Sequence, residues 1–202
     1  VSKSKKASQG EHGSTRSARR AARRERRQGR HDPSASLDLA ALLLRATIGP
    51  MMVMHGLNKV RGPGGMEGTT RWFAGLGFKP AAVHARMAAA TEIGTGTLMT
   101  VGAMTPLASA GIVGVMTSAA ATDHKGKGFF IFKGGWEYVA VIGAVSTAIA
   151  ALGPGRLSID GLRGRPRGSF IRAVLAAGLG VAAAQGVLRT RQEPEPPAPS
   201  ST

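Results

Sequence analysis

The sequence predicts an all-α integral membrane protein: a four-helix transmembrane bundle followed by a fifth, C-terminal transmembrane helix. Three observations predict it. Charge is segregated, because eleven basic and three acidic residues fall within the first 35 of a 202-residue chain whose formal net charge is +16. The rest carries repeated apolar stretches close to the length of a hydrocarbon core. Those stretches are rich in Ala and Gly, the small side chains that let helix backbones approach one another in lipid. With no cysteine in the chain, disulfides, thiolate nucleophiles, iron–sulfur clusters and cysteine zinc sites are excluded.

Residues 1–35 hold almost no large apolar side chain, so burial cannot offset the entropy of ordering them. They read as a disordered cytoplasmic arm. Its cluster Arg19, Arg20, Arg23, Arg24, Arg26, Arg27 and Arg30 has no aromatic residue for base stacking and no nucleic-acid fold beside it, so nucleic acid is not favoured as a partner. Attraction to anionic lipid is the plainer account, at about 1 kcal/mol per basic residue near the membrane surface.

A helical membrane core is expected over 36–162. Its first helix, about 37–55, includes LDLAALLLRATIGPMMVM, where Asp38 and Arg45 carry the only charges. A long polar arm before it and no small-residue cleavage pattern after it mark an uncleaved signal anchor. The segment GPGGMEGTTRWFAGLGFKPAAVHA, with Trp72, Phe73, Leu76 and Phe78, reads either as a short interfacial helix or as a lid over a pocket. GKGFFIFKGGWEYV repeats the aromatic theme further on. Helices follow at about 81–103, 106–122 and 137–152. Ala110, Gly114 and Ser118, and likewise Ala140, Ala144 and Ala148, recur every four residues, which makes each set a candidate packing stripe. A basic loop over 163–168 leads to the fifth helix at 169–189, where Gln185 reads as a polar link between helices, and a Pro-rich disordered tail occupies 190–202. The arm and the group Arg156, Arg163, Arg165, Arg167 and Arg172 are the most basic stretches. An even number of crossings places both in the cytoplasm, giving a multi-pass plasma-membrane protein.

Charges within a membrane interior need company. Arg45 and Glu92 each lie near the middle of a helix, so the two are expected to pair at one depth. Asp38, Arg45, Met52 and Lys59 recur every seven residues on one face, expected to point into the bundle. At the outer helix ends, His55, Lys59, His84, Arg86, His124 and Glu137 are placed to converge. His55, Lys59, Glu92 and Glu137 form the candidate catalytic pocket. The spacing of the histidines matches no compact metal motif, and no metal is expected.

The residues His55-Gly56 with Lys59, Ala74-Gly75-Leu76-Gly77-Phe78, Glu92, Gly135-Trp136-Glu137-Tyr138, and Gly153-Pro154-Gly155-Arg156 with Ser158 and Asp160 resemble the DoxX family of small bacterial membrane proteins over about 37–160. In the last motif Gly153-Pro154 stops a helix, and Arg156 and Asp160 are placed to tie the cytoplasmic turn. The resemblance implies a four-helix membrane core. It further implies a membrane subunit of a quinone-linked oxidoreductase system, or of one handling thiol or oxidative stress. The basic arm and the fifth helix depart from the family pattern. No nucleotide, flavin or cluster motif is visible in the sequence, so such a subunit is not self-sufficient and other membrane or oxidoreductase subunits are its expected partners. Quinone is the candidate cofactor, with none bound covalently. A scaffold that recruits other proteins, or a component passing a small solute or ion, are the alternatives. A quinone subunit should hold a cavity beside the polar cluster, whereas a scaffold should have those side chains mutually saturated.

Overall fold

The computed structural model describes residues 33–192, and among them there are seven α-helices and no named strand. The arginine cluster of the arm and the tail from Glu193 lie outside the described residues. Of the described residues, 38–192 belong to one compact unit, and residues 33–37, assigned to the other, are helical.

Helix α1, Pro33–Arg61, begins four residues before the expected helix, with Pro33 at its first position, where a missing N–H costs nothing. It also runs six residues beyond the expected end, carrying Lys59 within the helix. Helix α2 is the short Gly65–Gly75. Next come α3, Ala81–Val101, and α4, Thr105–Ala121. A single 3₁₀ turn, Ile131–Lys133, precedes α5, Glu137–Leu152. The turn after α5 contains the short α6, Ile159–Leu162, and leads to α7, Phe170–Leu188. Helix α5 stops because Gly153 takes φ 88°, a conformation that strains any side chain.

Helix α4 lies at the centre, packed against α3, α5 and α7. The main core gathers Ile48 and Met52 of α1, Met99 of α3, Ile112 and Met116 of α4, and Ile142 and Ile149 of α5. Small residues set the closest approaches. A Cβ on Gly96 would fall 2.7 Å from Gly49 O across α1 and α3, and one on Gly180 would fall 3.0 Å from Gly114 N across α4 and α7. Ala110 packs with Ala150, Ala173 and Ala176, so the first small-residue stripe is a helix contact. The second is not: Ala140, Ala144 and Ala148 are exposed, while Val139, Ile142, Ser146 and Ile149 form the buried face of α5. Spacing alone does not choose between two small-residue faces, and the larger apolar side chains took the core. Gln185 is likewise on the exposed side of α7 and shows no side-chain hydrogen bond among the described residues.

Among the described residues, two helices qualify by length and composition to cross a membrane: residues 34–61 of α1, and α7. Helices α4 and α5 are apolar but shorter.

Candidate functional site

Helices α1 and α3 run antiparallel, and the Gly49–Gly96 contact sets their register. That register places Arg45 beside the end of α3, where its guanidinium donates to Thr100 O at 2.8 Å and to Leu157 O at 2.6 Å. Carbonyls at a helix C-terminus are a natural seat for a cation. The expected Arg45–Glu92 pair is therefore not formed. Eight residues of α3, about 12 Å of helix, separate Thr100 from Glu92. Glu92 pairs instead with Lys59, whose Nζ lies 2.8 Å from Oε1 and 2.7 Å from Oε2. The pair is buried, with side-chain exposures of 15% for Lys59 and 4% for Glu92. The expected inward face of α1 is present, since Asp38, Arg45 and Met52 are all buried.

Beside the pair, His55 Nε2 lies 2.6 Å from the Tyr138 hydroxyl, and the Lys59 ammonium stands 5.9 Å from the Trp72 ring centroid. These groups border a cavity of about 720 Å³ lined chiefly by apolar side chains of α3, α4 and α7. Phe73, Leu76 and Phe78, from α2 and the turn after it, also line it. The aromatic segment thus forms the short α2 and contributes part of the cavity wall.

His84, also on the cavity wall, is held through Nε2 by Thr190 Oγ1 at 3.0 Å. The Thr190 hydroxyl donates to Val187 O at 2.7 Å, so it accepts from His84. The buried Nδ1 has no hydrogen-bond partner among the described residues. The residues after α7 are tied down: Arg191 Nε donates to Leu76 O at 2.6 Å and Gln192 N to Gly77 O at 2.9 Å. Thr190–Gln192, assigned to a disordered tail on composition, thus fasten the end of α7 to that part of the cavity wall. Their short polar run gave no sign of this.

Glu137 does not join the cluster. Its carboxylate accepts from Ile131 N at 3.2 Å, because the first turn of α5 places it against the 129–135 loop, while the next residue, Tyr138, faces inward. His124 also lines the cavity, with Nδ1 2.6 Å from Gly134 O, whereas Arg86 is exposed. Among the described residues no three His, Asp or Glu side chains gather as metal ligands.

At the opposite end, Arg156 and Asp160 tie the turn through separate sets of bonds. Arg156 pairs with Asp38 through its guanidinium, and its amide donates to Asp38 Oδ1 at 3.1 Å. Arg167 reaches the same carboxylate at 2.9 Å. Asp160 instead caps α4, accepting from Met104 N at 3.1 Å and from the amide and hydroxyl of Thr105, each at 2.9 Å.

Long apolar helices around a buried ion pair, with a largely apolar cavity beside it, define a helical membrane protein. Residues 40–125, somewhat under half of the chain, match the family model described as DoxX, and over that stretch the chain is similar to that family. The matched stretch contains His55, Lys59, Trp72 and Glu92. The motifs around Glu137 and Gly153–Asp160 lie beyond it. No curated protein and no solved structure matches the chain.

Proposed function

We propose that this protein is a multi-pass plasma-membrane subunit of an oxidoreductase system linked to quinone or to thiol and oxidative stress. In this reading α1, α3, α4, α5 and α7 span the bilayer and the N-terminus is cytoplasmic. The distribution of side chains supports a lipid setting. Leu39 and Leu43 of α1 and Ile171, Leu175 and Leu179 of α7 are exposed, while Asp38, Arg45 and Glu92 are buried. That is the arrangement expected where the solvent is hydrocarbon. The shorter α4 and α5 fit a bilayer that thins locally around them.

The observation that carries the reading is the apolar cavity ending on Lys59–Glu92 and His55–Tyr138. A quinone has a flat apolar ring, an isoprenoid tail and two carbonyl acceptors, and the donor set suits it. Glu92 takes two of the three Lys59 N–H groups, which leaves one donor for a carbonyl, and the Tyr138–His55 pair supplies a second polar contact. Met87, Leu107 and Leu179 line the cavity and are each about half exposed. A sideways opening between helices would admit a lipid-soluble ring.

When bound, a quinone would supply two-electron, two-proton chemistry, and the electrons would come from a partner protein. Lys59 Nζ would hold a proton at the end of the cavity for the ring to take up on reduction, and Glu92 would keep that ammonium in place and pass it a replacement proton. His55 would orient the Tyr138 hydroxyl. The aromatic wall formed by Trp72, Phe73 and Phe78 would exclude water from the polar end. The scaffold alternative draws on the pairing of these same side chains, but it leaves the cavity without a use.

The test is extraction and chromatography of quinone from protein purified in mild detergent, with electron transfer from co-purifying partners measured on the same membranes. Lys59→Met, Glu92→Gln and His55→Ala should each lower quinone content and transfer. Unchanged values in all three, with the protein still folded, would remove the cluster from the mechanism and leave the scaffold reading.

A further inference from the structure

A second cavity, of about 300 Å³, lies at the end of the molecule opposite the aromatic-walled one, where the starts of α4 and α7 meet the turn after α5. That volume is at the small end of ligand clefts. Its wall carries Arg163, Arg165, Arg167 and Arg172, with Asp160 as the acidic residue among them. The Asp160 carboxylate is spent on α4, since both oxygens accept from Met104 and Thr105. Arg167 is held by Asp38, while Arg163, Arg165 and Arg172 make no ion pair among the described residues. Arg172 NH1 has a long contact with Arg167 O, at 3.3 Å. Several guanidinium groups around one small hollow match the tetrahedral oxygens of a phosphate ester.

Exposed apolar residues flank these arginines in the chain. Leu162 beside Arg163 is 86% exposed, and Phe170 and Ile171 beside Arg172 are 78% and 69% exposed. A soluble phosphate has no use for such neighbours, whereas a phospholipid places acyl chains next to its phosphate. We infer that this arginine-lined cavity is a binding site for the headgroup phosphate of an anionic phospholipid, with Leu162, Phe170 and Ile171 against its acyl chains. The inference rests on the membrane reading given above, and on basic pockets between membrane helices being recurrent headgroup sites. Such a site would fasten the start of α7 to the start of α4 and the turn after α5 through a shared ligand.

The probes are phosphatidylglycerol, phosphatidylcholine and inorganic phosphate, added to the full chain in neutral detergent, with retained lipid read by native mass spectrometry and unfolding by a thermal scan. Phosphatidylglycerol should be retained and raise the unfolding midpoint, while phosphatidylcholine and inorganic phosphate should do neither. Arg165→Gln/Arg172→Gln, which removes no charge acting on Asp160 or Asp38, should weaken phosphatidylglycerol retention by roughly tenfold or more. Arg23→Gln/Arg24→Gln/Arg26→Gln/Arg27→Gln, in the basic arm, should leave it in place. Equal retention of phosphatidylcholine, equal protection by inorganic phosphate, or loss of retention only in the arm variant each overturns the proposal. Alkaline carbonate extraction of the same membranes separates the two readings. Loss of the lipid effect in a carbonate-resistant protein removes the headgroup site alone, whereas release into the supernatant removes the membrane reading on which it rests.

Discussion

Lys59 and Glu92 each solve the other's desolvation problem, and the cost of separating them follows from their burial. Removing one partner leaves an uncompensated charge, so Lys59→Met or Glu92→Leu alone should destabilise the protein by about 3 kcal/mol, while the double variant should recover most of that loss. Thermal unfolding of all three in one detergent checks this, and a double variant as weak as the sum of the singles would deny the coupling. Asp160 makes a prediction of a different kind. Burial disfavours its ionised form, but the amide and hydroxyl of Thr105, the Met104 amide and nearby Arg163 outweigh that and hold its carboxyl below the ordinary 3.8. A carboxyl with a lower pKa folded than unfolded contributes stability above its unfolded value and loses it as pH falls through the folded one. The advantage of the wild type over Asp160→Asn should be complete above roughly pH 5 and shrink as the pH drops below about 4. An unfolding gap that stays constant down that range would mean the cap does not depend on charge. Asp160 was legible in the sequence as a turn residue, but its partners at Met104 and Thr105, more than fifty positions away, were not.

Helix packing here depends on where side chains are missing. At Gly180 a Cβ would press on the α4 backbone at Gly114, while at Gly178, two residues away, it would meet nothing within 4 Å. Gly180→Val should therefore cost about 1–3 kcal/mol by overpacking, and Gly178→Ala should be neutral or gain up to about 1 kcal/mol from helix propensity. Comparable losses at both positions, read from thermal unfolding, would show that α7 does not pack through this stripe. The stripe at Ala110 and Gly114 was readable in the sequence, and so were the helix positions: α4 and α5 begin and end within a residue of 106–122 and 137–152. The exposed stripe at Ala140, Ala144 and Ala148 had the same spacing. Periodicity marks a face, and only the competition of neighbouring faces for the core decides which one is used.

For the molecule as a whole, the proposed topology puts the 125–128 loop and the 163–165 turn on opposite sides of the bilayer. A chain without cysteine makes that easy to test. A single Lys127→Cys should be labelled by an impermeant maleimide from outside the cell, and a single Arg163→Cys only after the membrane is opened. Labelling of both from one side would refute the arrangement. The same topology separates the two cavities, with the candidate quinone site toward the outer face and the arginine-lined site toward the cytoplasm.

From the chain alone came the succession of apolar helices, the inward face of α1 and the requirement that buried charges find partners, because each rests on local periodicity and on the cost of burying a charge. The tertiary structure decided which partners they found. Contact between Gly49 and Gly96 fixes the register of α1 on α3, and a helix longer than its apolar run brings Lys59 level with Glu92 while leaving Arg45 among carbonyls. The same packing turned Glu137 toward a loop, brought Tyr138 to His55 and set Thr190 against His84. Register and rotation between helices are relations among distant segments, and no single segment encodes them.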